Sequence, residues 1–322
     1  MKIVKRIRDI HEDCKPRYEL LATEVNGLLK PRVEEKDWFF RSRIKGLESF
    51  ALKIETGRVP DPARMEDFFA CTIVVPTMVE IDQAAQLVLS VYDHISRRPP
   101  KDDVTHKVPS SFTFDDLRLY VARRPLVSGK NPELDHIVFE VQIKTILQHA
   151  WSVSTHDLIF KSDTVSWPRE RIAFQVKAML EHAELAISEA NRLADTPAIA
   201  KKDNRTADIL HLIGHINRIW TPDRLPADIK RLAETIFDVF RSCDLSIEKF
   251  PAIIENEKRR IGLLPADLSP YALTVQALAH GADVHFERKF KRDHIRTTIL
   301  IHGDMDLPAW IFVEHPRILN IG

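Results

Sequence analysis

Residues 136–145 read His-Ile-Val-Phe-Glu-Val-Gln-Ile-Lys-Thr, and the alternation within that run separates two kinds of chemistry. Read as a strand, it puts Glu140, Gln142 and Lys144 on one face and Phe139, Val141 and Ile143 on the other. The apolar face suits a core. The polar face lines up an acid, an amide and a cation along one short edge, the residue types that serve a metal ion and phosphate groups. Alone, such a face is more often solvated surface. Its weight comes from what accompanies it along the chain.

Other charged pieces follow a definite order. Arg43-x-Lys45 comes first, then Ser49 and Lys53, which are four apart and share a face if they lie on a helix. Asp67 stands immediately before an apolar run. Arg97, Arg98, Lys101 and Lys107 form a basic stretch. After Lys144 come Thr145, His149, Trp151, His156 and Lys161. Each has a plainer reading. Lys45 and Lys53 taken singly are ordinary surface lysines, Trp151 is a core residue, and Asp115-Asp116 is a turn. His149 and His156 share a helix face seven residues apart, which suits a structural role better than a metal pair. The Arg288-Lys289-Phe290-Lys291-Arg292 cluster is a solvated face, with RNA contact as the sharper alternative.

Residues 1–35 read as a charged helix. Residues 38–45 read as a strand with Arg41, Arg43 and Lys45 on one face, and residues 47–55 as a helix stopping near Gly57. The β-branched run 68–75 ends at Pro76 and suits a buried strand; 80–92 has helical periodicity, and 117–123 alternates as a strand. Residues 146–160 and 169–193 read as long amphipathic helices. Residues 196–204 suit a linker, and 206–262 read as helical with breaks at Pro222 and Pro226. Residues 294–302 read as a strand and 310–313 as another. The expected fold is α+β: a mixed β-sheet core flanked by helices over 1–195, then a mostly helical region of unassigned role over 205–322.

The chain has 322 residues, 44% hydrophobic and 29% charged, enough for two packed domains. Lys+Arg and Asp+Glu are both 47, so net charge argues for neither nucleic acid nor membrane. Cys14, Cys71 and Cys243 lie far apart, with no metal spacing and no disulfide framework, which points to a reducing cytoplasm. No apolar run approaches a membrane span, and the start MKIVKRIRDIHEDCK is charged where a secretion signal is apolar. Gly-rich phosphate loops are absent.

The ordered pieces resemble the RelA/SpoT synthetase family, whose core is nucleotidyltransferase-like. RSRIKGLESFALKI (41–54) is similar to the family's ATP-phosphate segment, with R-x-K, a Ser and a Lys. EDFFACTIVV (66–75) resembles its D-L-x-G-x-R strand. FEVQIKTILQHAWSVSTHDLIFK (139–161) is similar to its E-x-Q-x-[RK]-T…H-A-W…H-D…Y-K block. The resemblance covers residues 38–161 and implies a pyrophosphokinase that moves pyrophosphate from ATP to the ribose 3′-hydroxyl of GDP or GTP. It implies Mg²⁺ as cofactor, with Asp67 and Glu140 as ligands and Glu140 as acceptor of the attacking hydroxyl's proton. Arg43, Lys45, Ser49 and Lys53 would bind the ATP phosphates. Lys107, Phe112, Phe114, Gln142, Lys144 and His149 would meet the acceptor nucleotide.

Two segments depart from the family pattern. The Gly and Arg of its D-L-x-G-x-R strand become Ala70 and Thr72 here. A threonine cannot stack on adenine, so either another residue supplies the platform, with Arg41 and Arg98 as the candidates, or the donor site is altered. The acceptor loop, roughly K-x-x-G-Y-x-S-x-H, becomes residues 107–117 with no Gly, Tyr or His, leaving Phe112 or Phe114 to stack on a base. That change admits two other readings. One is a toxin-type relative using adenine nucleotides or the tRNA 3′ end as acceptor. The other is a decayed site acting as a nucleotide sensor, with the C-terminal region binding a regulatory partner or a second copy. The hydrolase half of long family members is not expected, and His156-Asp157 is not read as its metal site.

Overall fold

A computed structural model describes residues 2–57, 59, 61–100, 116–125, 130–155, 165–201, 203–263, 265, 267–281, 286–290, 292, 297–312 and 315–321. Lys101, Lys107, Phe112, Phe114, Asp115, His156, Asp157, Lys161 and Lys291, all singled out above, lie outside the described residues. Contacts divide the chain into two compact units, Met1–Ile199 and Ala200–Gly322.

The first unit opens with helix α1 (Lys5–Glu34). Its buried stripe of His11, Cys14, Tyr18, Leu21, Val25, Leu29 and Val33 recurs every three or four residues, the spacing that keeps one helical face on a core. Strand β1 (Phe39–Ile44), helix α2 (Leu47–Glu55), strand β2 (Phe69–Val75), helix α3 (Ile81–Val91) and strands β3 (Tyr92–Arg98), β4 (Leu117–Arg123) and β5 (Val138–Thr145) follow. The five strands form one mixed sheet in the order β1-β2-β5-β4-β3. Within this sheet, among the described residues, only β2 and β5 pair in parallel. Helices α4 (Ile146–Thr155), α5 (Trp167–Ser188) and α6 (Ala190–Ala194) complete the unit. Thr145 caps α4 reciprocally with Gln148: each backbone N–H donates to the other's side chain, at 3.0 and 3.1 Å, so β5 turns directly into a helix.

Alternation gives the sheet two faces. Phe69, Cys71 and Ile73 of β2, Phe139, Val141 and Ile143 of β5, and Leu117, Leu119 and Val121 of β4 are buried in one cluster with the α1 stripe and with Ala84 and Val88 of α3. The opposite face carries the polar residues described below.

The second unit contains α7 (Asn204–Ile219), α8 (Ile229–Ser242), α9 (Phe250–Ile261), α10 (Pro270–His280), the short α11 (Phe286–Phe290) and a parallel pair, β6 (Ile299–Ile301) with β7 (Ile318–Asn320). Asp203, Asp228 and Ser269 cap α7, α8 and α10 by accepting from Thr206, Arg231 and Ala272 N–H groups. Its core includes Leu212, Ile216, Phe237, Phe240, Phe250, Ile254, Leu273 and Leu278.

The fold is the expected α+β arrangement, with corrections in detail. The basic stretch after α3 opens as strand β3, which the helical reading of 80–92 overran by one residue. YDHISRR is an edge strand with only one buried residue, so it has no apolar alternation to read. Residues 309–312 form a 3₁₀ turn, not a strand: Pro308 fixes its own φ and its carbonyl accepts from Ile311 N–H. The reading of 169–193 as one helix fails at Glu189, where α5 and α6 separate. Phe290 is fully buried beneath the Arg317 guanidinium, and Arg292 pairs with Asp244 at 2.5 Å, so Phe290 is not a stacking surface for RNA.

Candidate active site

The strand register assembles the polar face. Arg43, Ala70, Glu140, Tyr120 and Ser96 form one row across β1, β2, β5, β4 and β3. Arg41, Thr72, Gln142, Arg118 and Arg98 form the next. Neighbours in such rows have Cβ atoms about 5 Å apart, so their side chains interact.

Glu140 lies at the centre and is only 3% exposed. One of its carboxylate oxygens accepts from the Gln142 side-chain amide. The other accepts from Tyr120 Oη at 2.9 Å, with Arg118 Nη1 at 3.9 Å. Arg98 lies over the Tyr120 ring, its guanidinium carbon 5.2 Å from the centroid. Lys144 and Arg118 converge on Asp116, at 3.4 and 3.3 Å to the same oxygen. His149 sits on α4 beside Phe39. Burial lowers its pKa below the ordinary histidine value, and the charges of Lys144 and Arg41 lower it further.

Asp67 belongs to a second cluster, in the turn before β2. Its Oδ2 meets Lys45 Nζ at 3.0 Å and Lys53 Nζ at 2.9 Å. Lys45 is 7% exposed, and its backbone N–H donates to Phe68 O at 2.7 Å. Burial alone would raise the Asp67 pKa, but the hydrogen bonds and charges of Lys53 and Lys45 outweigh it and hold it below the usual carboxylate value. Its Oδ1 is buried and accepts no hydrogen bond. A buried carboxylate oxygen without a donor suits a hard cation, so this residue fits Mg²⁺.

Lys45, Lys53 and Asp67 therefore come together, and so do Gln142, Glu140 and the Asp116–Lys144 pair. The two carboxylates Asp67 and Glu140 have separate partner sets, although Ala70, the register partner of Glu140, is only three residues beyond Asp67. Among the described residues, no three His, Cys, Asp or Glu side chains gather to hold a metal. Arg43 and Ser49 are exposed. Thr72 lies opposite Arg41 of β1, and Arg41 is exposed. Trp151 is half-buried, donates to Ala173 O at 3.0 Å and lies beneath Lys177. Tyr120 and Arg118 escaped the reading by motif. Their signal was present in Leu117-Arg-Leu-Tyr-Val-Ala-Arg, whose alternation sets Arg118 and Tyr120 opposite Leu117, Leu119 and Val121. No helix among the described residues is long and apolar enough to cross a membrane.

No curated protein matches the chain. Among solved structures it is similar to small alarmone synthetase 1 from Bacillus subtilis, at 20% identity and TM-score 0.46, over 57% of this chain and 96% of that one. It is similar to small alarmone synthetase 2 from Bacillus subtilis, at 14% identity and TM-score 0.43, over 55% and 96%. It is also similar to a GTP pyrophosphokinase family protein from Streptococcus pneumoniae, at 15% identity and TM-score 0.40, over 62% and 98%. Residues 42–165 match the family model described as the region found in RelA / SpoT proteins. That match runs from within β1 to beyond α4 and takes in the charged sheet face with Arg43 and Glu140, so this part of the chain resembles the region found in RelA / SpoT proteins.

Proposed function

We propose that the chain is a pyrophosphokinase, transferring pyrophosphate from ATP to the ribose 3′-hydroxyl of a nucleotide acceptor, with GDP or GTP as the first candidates. The observation that carries this is Glu140, a buried carboxylate held by Tyr120 and Gln142 inside a face lined by Arg41, Arg43, Arg118 and Lys144. Transfer of this kind depends on positioning and charge stabilisation more than on covalent chemistry. Arg43 and Lys53 would hold the ATP phosphates beside Lys45, Arg41 would stack on the adenine, and Glu140 would take the proton of the attacking hydroxyl. Gln142, Lys144 and His149 would face the acceptor. Asp67 through Oδ1, together with Glu140, would hold Mg²⁺, with phosphate oxygens completing the shell. The ion would supply charge neutralisation on the phosphates.

One feature favours a second acceptor class. Asp116 neutralises part of the charge on Lys144 and Arg118, which weakens that edge for an acceptor carrying several phosphates and suits one carrying a single phosphodiester, such as the tRNA 3′ end. Incubation with ATP, Mg²⁺ and guanosine, adenosine or tRNA acceptors, with each product identified, decides between them. The expected result is a 3′-pyrophosphorylated product that falls at least about a hundredfold in Glu140→Gln. Absence of product with every acceptor would refute the proposal.

A further inference from the structure

We infer that Tyr120 is a positioning residue for Glu140 in this reaction, and that Arg98 holds the Tyr120 ring in place. The inference rests on the pyrophosphokinase reading and deepens it, since nothing in the motifs of residues 41–54, 66–75 or 139–161 assigns a role to β4.

The geometry is that of an oriented base. A carboxylate that must accept a proton has two oxygens and free rotation about its last bond, so a useful site fixes it through hydrogen bonds. Here both oxygens are engaged, one by Gln142 on the same strand and one by Tyr120 on the neighbouring strand. The Gln142 amide alone would leave the group free to swing toward Arg118. The Tyr120 phenol, reaching across from the register position opposite Glu140, fixes the plane. Tyr120 is 4% exposed, and Arg98 of β3 lies over its ring, the guanidinium carbon 5.2 Å from the centroid.

The phenol is also in the right protonation state. Burial, followed by the charge of Glu140 and the hydrogen bond to it, pushes Tyr120 up to about 12, with Arg98 and Arg118 opposing. It therefore stays a neutral donor throughout the working range. The charged and titratable groups around Glu140 include Tyr120 and Arg118 on β4, Arg98 over the ring on β3, Arg41 and Arg43 on β1, Lys144 on β5, and Cys71 on β2. The Cys71 thiol is driven well above its ordinary range by burial and by the Glu140 charge, and so stays neutral.

The test uses the full chain and its Tyr120→Phe and Arg98→Leu variants. Two quantities are read: kcat against KM for ATP, and the urea midpoint of unfolding. Tyr120→Phe should lower kcat about tenfold while leaving KM for ATP within about twofold. Arg98→Leu should show the same split, smaller in size, without touching the carboxylate. A packing role alone would lower the urea midpoint and leave kcat of the folded protein where it is. Unchanged kcat in Tyr120→Phe would overturn the inference and leave the pyrophosphokinase reading standing. No product from the wild-type chain would overturn that reading and the role of Tyr120 in transfer with it.

Discussion

Lys45 Nζ lies 3.0 Å from Asp67 Oδ2, while Asp67 Oδ1 is buried with no donor. The pair ties the end of β1 to the turn that launches β2, and it also leaves one oxygen ready for a cation.

That arrangement has a thermodynamic signature. The folded-state pKa of Asp67 is lower than in the unfolded chain, so the interaction stabilises the fold above the ordinary aspartate value and is lost as pH falls through the depressed one. Asp67→Asn should cost about 3 kcal/mol at neutral pH, because Lys45 is left buried against a neutral amide. It should also flatten the loss of stability in acid. Urea unfolding at neutral and acid pH measures both. Equal acid sensitivity in the two proteins would contradict the assignment.

Arg41 is the cross-strand partner of Thr72, and we propose it as the adenine platform. Arg41→Ala should raise KM for ATP roughly five- to tenfold with kcat little changed, in line with about 1 kcal/mol for an exposed stacking contact. An unaltered KM would move the adenine elsewhere.

His149 is held below its ordinary pKa by burial and by the charges of Lys144 and Arg41. The phosphates of a bound acceptor would offset the Lys144 charge, so the imidazole should titrate at higher pH with GDP or GTP and Mg²⁺ than without. Proton NMR of the histidine ring reads this directly. Identical titrations would show that the phosphates bind away from α4.

Arg123 is buried on β4 and donates to Glu24 of α1, to Asp135, and to the carbonyls of Lys130 and Asn131. Arg123→Met leaves two carboxylates without their counter-charge and should cost about 3–5 kcal/mol, seen as a lower urea midpoint. A midpoint shift below about 1 kcal/mol would mean the network is dispensable.

How much of this was legible depended on whether a residue's role is local or assembled. Glu140, Gln142 and Lys144 could be placed on one face because a period of two is written into the strand itself. The α1 stripe and the β2 run were equally plain. Tyr120 and Arg118 acquire meaning only through the β4–β5 register, and no one-dimensional pattern states which strands are neighbours. Asp116 read as a turn residue because its two partners come from β4 and β5. Edge strand β3 was hidden for a physical reason: with almost nothing buried, its composition is that of a loop.

The two-sidedness of β5 constrains how this chain can change. Inserting or deleting one amino acid between Val138 and Glu140 would swap every position downstream in the strand, driving carboxylate, amide and ammonium into the oily interior and turning Phe139's neighbours toward water. Folding and chemistry would be lost in the same event. A change of length is therefore tolerated better in the connections between strands than within β5.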